Sequence, residues 1–160
     1  GDVDLVAVGT SFVRVFRAAL PVPAGVAAFG RGTPSCAGTL GLAATTAPTI
    51  GQSAFALRCT NASPRTMGLL AIGTPVTSGW DPLGIGLVVH LGLALPVAAA
   101  TAGDGGAALL PLPIPGRSFL VGLRVSAQAF FFEDAADGLA CSTADYAIAS
   151  SRAVTLTLQR

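Results

Sequence analysis

Apolar positions along this chain fall in short runs and alternations, not at helical spacing. Residues 3–8 (VDLVAV) and 11–17 (SFVRVFR) alternate or run apolar. Residues 53–59 place Phe55, Leu57 and Cys59 on one face and Ala54, Ala56 and Arg58 on the other, the period of two that a half-buried strand requires. Residues 67–72, 85–91, 119–131 and 153–159 predict further strands; in the last, Val154, Leu156 and Leu158 face inward while Thr155 and Thr157 face outward. Turn-forming clusters (PVPAG, RGTP, NASPR, TSGWDP, TAGDGG, IPGR, DAADG) separate the runs. No window keeps a helical period free of Gly and Pro for 12 residues, and a single helical turn is expected near residues 134–137. Short strands at such spacing predict an all-β fold, a β-sandwich of jelly-roll type.

Residues 110–115 (LPLPIP) add a topological constraint. Pro111, Pro113 and Pro115 alternate, so their three missing N–H donors lie along one side of the strand. The other side can still pair. This predicts an edge strand protected against further pairing, with Leu110, Leu112 and Ile114 in the core. The competing reading is a polyproline ligand for an aromatic groove.

The N-terminal segment, residues 1–24, stands apart from a sandwich domain expected over residues 25–160. It carries strand-forming sequence over residues 3–16, then a hinge at Pro21, Val22 and Pro23. Two roles are open to it: a first strand of the domain's own sheet, or a donor strand that completes the sheet of a neighbouring copy. The donor face would hold Val3, Leu5 and Ala7, or the opposite parity set by Phe12, Arg14 and Phe16.

Composition sharpens this picture. Of the 160 residues 52% are apolar and only 11% charged, against roughly 25% in an ordinary domain. The net charge is +1 and every basic residue is arginine. Disorder through low hydrophobicity is excluded, nucleic-acid binding is not expected, and chemistry that needs an active lysine is absent. So little charge on an apolar surface favours self-association. Residues 82–103 are long enough to span a bilayer, but Pro82, Pro96, Gly84, Gly86 and Gly92 would break the helix. A pair of buried strands with a turn near Gly92 to Pro96 is expected instead, and no membrane span.

Cys36, Cys59 and Cys141 form no CxxC or Cys/His cluster, so zinc is not expected. Either one disulfide forms, with Cys36–Cys59 and Cys36–Cys141 the favoured pairs, or three thiols lie buried and inert. The start Gly-Asp-Val-Asp suits a secreted chain whose signal peptide has been removed, which places it outside the cell or on its surface.

Candidate chemistry is sparse. His90, the one histidine, lies in an apolar run, where a hydrogen-bonded structural role outweighs a catalytic or metal role. Glu133, Asp134 and Asp137, with Asp145 or Asp104, could hold Ca²⁺ in a loop; a solvated turn is the competing reading, and no other cofactor is expected. Trp80 in SGWDP is a candidate stacking platform for a glycan, or fills a core edge. Asn61-Ala62-Ser63 is a glycosylation sequon followed by Pro64, which favours a plain turn. No GxSxG elbow accompanies His90, and an enzyme is not expected.

The stretch Ala28-Phe29-Gly30-Arg31-Gly32-Thr33-Pro34-Ser35-Cys36-Ala37-Gly38-Thr39-Leu40-Gly41 resembles an opening motif of small all-β modules that end secreted, repetitive surface proteins of planctomycete-type bacteria. Pro48-Thr49-Ile50-Gly51, Phe55-Ala56-Leu57, Leu69–Gly73, Asp81–Gly84, Ala102–Ala107 leading into residues 110–115, Leu120–Leu123 and Ala127-Gln128 follow in the same order, with a closing strand over residues 147–158. The resemblance covers roughly residues 26–160 and implies an exported all-β module of undefined activity. Cys59 and Cys141 depart from the position of that family's second cysteine.

These readings converge on a non-enzymatic extracellular structural protein that assembles head to tail with copies of itself, as a pilus-like filament or surface layer, by β-strand addition and apolar packing. The alternative is a carbohydrate- or surface-binding β-sandwich module built around Trp80.

Overall fold

A computed structural model describes residues 23–133 and 147–160, together with the backbone of residues 4–9 and 12–17. The strands are β1 (Asp4–Gly9), β2 (Phe12–Arg17), β3 (Val26–Phe29), β4 (Gly41–Ala44), β5 (Ala56–Thr60), β6 (Met67–Gly73), β7 (Pro75–Trp80), β8 (Val89–Leu91), β9 (Leu95–Thr101), β10 (Ala108–Pro111), β11 (Arg124–Phe132), β12 (Ile148–Ser150) and β13 (Ala153–Thr157). The chain is all-β, and its sheets are antiparallel as the alternating runs predict.

Two sheets face each other across the main core. The larger has the order β3-β13-β11-β6-β9, with β12 also paired to β11; the smaller has the order β10-β5-β4. Leu42, Phe55, Leu57, Cys59 and Leu110 of the smaller sheet and its approaches meet Leu70, Ala127, Ala129, Phe131, Val154 and Leu156 of the larger. Each such leucine contributes roughly 1.5–3 kcal/mol by leaving water. Gly68 lies opposite Phe131 in the ladder, and the phenyl ring occupies the space a Cβ on Gly68 would need. The sheets close tightly there because the glycine has no side chain.

The larger sheet is covered on its back as well. Strand parity sends Ala127, Ala129 and Phe131 to the main core and Gln128 and Phe130 to the other face. Ile85, Leu87, Val89 and Leu91 pack there with Ala71, Phe130 and Ile148. These four come from the β7–β8 hairpin and the loop between its strands.

Strand β10 is an edge strand, as the alternating prolines predict. Leu112 and Ile114 turn their N–H groups inward, to Phe55 O at 2.9 Å and Gln52 O at 3.0 Å, which leaves Pro111 and Pro113 on the outer side. Leu110 and Ile114 are buried.

Three expectations change. Residues 85–88 form a loop, because the Asp81 carboxylate draws residues 81–86 into a turn. Residues 118–120 form a 3-10 turn, so the expected strand over 119–131 begins at Arg124. The expected pair of buried strands in residues 82–103 divides between two sheets, β8 pairing with β7 and β9 with β6. Strand β9 is an edge, and Leu95 and Val97 are 60% and 41% exposed. No helix among the described residues is long and apolar enough to cross a membrane.

Strands β1 and β2 pair with each other, and neither is hydrogen-bonded to the two facing sheets. Leu5 lies opposite Phe16, Ala7 opposite Arg14 and Gly9 opposite Phe12. Directly opposed residues share a face, so positions 5, 7, 12, 14 and 16 share one and the valines at 6, 8, 13 and 15 share the other. Val3, the Pro21-Val22 part of the hinge and the helical turn expected near 134–137 lie outside the described residues.

Candidate functional site

The buried polar residues converge on the back of the larger sheet. Gln128 is fully buried on β11. Its Oε1 accepts the His90 N–H at 2.8 Å, and its Nε2 donates to Val88 O at 3.0 Å and Ser151 O at 2.7 Å. Ser150 Oγ donates to Val88 O at 2.7 Å and accepts the Thr33 N–H at 2.9 Å. Thr33 Oγ1 donates to Gly86 O at 3.2 Å and accepts the Val88 N–H at 2.8 Å. Each of these groups is partnered, as burial demands. The interruption between β12 and β13, at Ser151 and Arg152, belongs to the same device. Ser151 Oγ takes the Ala129 N–H at 3.0 Å, and the Ser151 carbonyl is left to Gln128.

His90 stands at the centre of this arrangement. Its Nδ1 lies 3.0 Å from Val76 O, and its Nε2 accepts the Arg31 N–H at 3.1 Å with Arg31 O at 2.9 Å. Phe29 meets the ring edge-on, with centroids 5.7 Å apart. Gly30 and Gly79, both with positive φ, make room for it, and a Cβ at Gly79 would come within 2.8 Å of the imidazole. Both ring nitrogens are engaged by backbone groups, so the imidazole ties the segments at Val76 and Arg31 to β8.

Above His90 lies a cleft of about 250 Å³ whose walls include Arg31, Ser78, Trp80 and Asp81. Trp80 is 46% exposed, and its Nε1 donates to Leu91 O at 2.9 Å, which fixes the indole against the hairpin. Asp81 Oδ2 accepts the Gly86 N–H at 2.6 Å and Oδ1 the Leu83 N–H at 3.3 Å. Desolvation acts to raise the Asp81 pKa, but the N–H groups of Gly86, Ile85, Leu83 and Gly84 together prevail and hold it below the ordinary carboxylate value. Arg31 is exposed and has no ion pair among the described residues.

The remaining candidates are dispersed. Glu133 is buried, and its Oε1 accepts the Cys36 N–H and the Ser63 hydroxyl, each at 2.8 Å. Asp104 instead pairs with Arg65 at 3.1 Å in solvent. The other Ca²⁺ candidates, Asp134, Asp137 and Asp145, lie outside the described residues. No group of metal-ligating side chains forms among the described ones. Cys36 is disulfide-bonded, whereas Cys59 is a free thiol buried on β5. The third cysteine, Cys141, lies outside the described residues. A pairing of Cys36 with Cys59 is thereby set aside: Cys59 points into the core between the sheets. Asn61 adopts φ of 61° and its Nδ2 donates to Thr39 O at 3.1 Å, as a turn residue does.

Thr33, Gln128, Ser150 and Arg31 were not predicted as site residues. Gln128 carried the one usable signal, a polar amide inside an apolar strand. Compared with family models, curated proteins and solved structures, the chain matches none of them.

Proposed function

We propose that this chain is a non-enzymatic extracellular structural protein that assembles head to tail with its own copies by strand addition and apolar packing. The observation that carries this reading is the isolation of β1 and β2, which pair with each other and with neither facing sheet. A two-stranded hairpin is marginal in water on its own and gains stability from a third strand or a covering face. Strand β9 offers a complementary margin: a seven-residue strand paired on one side only, with a bulge at Val97 and with Leu95 and Val97 in solvent. The Cys36 disulfide supports an oxidising compartment, and the likeness to exported surface modules agrees with it. Negative-stain microscopy with a mass measurement tests the reading. Ordered fibres or sheets that vanish on deletion of residues 1–24 are expected; a 15.8 kDa monomer under all conditions sinks it.

The second reading, a carbohydrate-binding module, is favoured by the half-exposed indole of Trp80 on a braced cleft.

A further inference from the structure

We infer that the Trp80 cleft binds a single sugar ring bearing a carboxylate, a uronate-type residue of a glycan. The inference rests on the carbohydrate-binding reading and adds the ligand's charge and size. At about 250 Å³ the cleft, open to solvent on one side, is smaller than the roughly 300–1,000 Å³ of sites for drug-sized ligands, and it has room for one ring while neighbouring rings extend outside it. The indole supplies a flat apolar face with one polar end already anchored at Leu91 O. Ser78 adds a hydroxyl to the wall.

The two charged wall residues differ in their commitments. Asp81 is ionised, but both its oxygens are held by N–H groups of its own loop, whose dipoles offset part of its charge towards the cleft. Arg31 has no ion-pair partner among the described residues. A guanidinium with open donors recognises a carboxylate through two parallel hydrogen bonds. The backbone at Arg31 is fixed through its N–H to His90 Nε2, so its side chain leaves from a defined point. The cleft is therefore prepared in advance: Thr33, His90, Gln128 and Ser150 tie its walls to the larger sheet beneath.

Trp80 is the one tryptophan in the chain, so intrinsic fluorescence reports on the cleft without a label. The full chain is titrated with a galacturonate trimer and with a galactose trimer as its uncharged match. A change in Trp80 emission with at least tenfold tighter binding of the acidic trimer is expected. Arg31→Ala should abolish that preference, and its backbone bonds to His90 do not involve the side chain that is lost. Calorimetry on Trp80→Ala should show binding of both trimers weakened at least tenfold, and Trp80→Phe, which keeps an aromatic face, should restore part of it. Equal binding of the two trimers, or an acidic preference that survives Arg31→Ala, overturns the carboxylate assignment and leaves the carbohydrate reading standing. Binding of neither trimer overturns the assignment along with that reading.

Discussion

The His90 N–H donates to Gln128 Oε1 at 2.8 Å, so the β7–β8 hairpin is fastened to the central strand of the larger sheet by a side-chain amide. The same amide reaches Val88 and Ser151 through its nitrogen. Gln128→Leu keeps the approximate volume but orphans the His90 N–H and the Ser151 carbonyl. At about 1–3 kcal/mol for each of these two unsatisfied groups, the variant should lose about 2–6 kcal/mol. Urea unfolding followed by circular dichroism measures the loss; a change below about 0.5 kcal/mol would show that the network is not a fastening.

Gly79→Ala tests the room made for the imidazole. Its φ of +65° disfavours any Cβ, and the added carbon meets the ring at 2.8 Å. Left-handed backbone costs about 1–2 kcal/mol for a residue other than glycine, and overpacking typically adds about 1–3 kcal/mol. A destabilisation of about 2–5 kcal/mol is expected in the same assay. Gly84→Ala is the control: its φ of +66° is nearly the same, but nothing lies within 4 Å of the added carbon, so it should cost only the backbone part.

Asp81 should make the cleft acid-sensitive. Its pKa is lowered in the folded state because four loop N–H groups together outweigh desolvation. An unfolded aspartate titrates near 3.9. A lowered folded value means the contribution is complete above about pH 4 and disappears as pH falls through the folded value. Trp80 emission, read next to the loop, should change over that acidic range. Asp81→Asn should remove the transition.

Cys59 should be silent to thiol reagents while the chain is folded. Burial pushes its pKa up to about 12, with a backbone hydrogen bond at Thr60 acting against it. The thiolate, the reactive form, is then scarce at pH 8. Aromatic disulfide reagents should modify Cys59 only once denaturant is added. A folded value above the unfolded one also means that this thiol's contribution is whole below about pH 9 and is lost as pH climbs towards 12. Thermal melts at pH 8 and pH 10.5 should differ in that direction, and Cys59→Ala should narrow the difference.

Strand parity made much of the main core legible in advance. Phe55, Leu57 and Cys59 are fully buried where the period of two put them, and the prolines at 111 and 113 marked an edge. Hydropathy failed at β9, since an apolar run looks the same whether its strand is central or at a margin. The geometry of the candidate site was less legible still. Thr33 meets Ser150 across 117 positions and Gln128 meets His90 across 38, and no local pattern ties such residues together. Trp80 could be picked out by its chemistry alone, but its cleft is made by a loop that folds around Asp81.

The prolines on the outer side of β10 give the smaller sheet a handedness of reaction. One margin lacks donors at Pro111 and Pro113, whereas β4 at the opposite margin contains no proline. Two copies can therefore join through this sheet β4 against β4, a contact that repeats itself under a twofold axis and then has no free end. A β4-to-β10 contact, which would repeat indefinitely, would find no N–H donors at Pro111 and Pro113. The two margins of the smaller sheet thus differ in what they offer an incoming strand: carbonyls alone at those two positions of one, and donors as well as acceptors at the other.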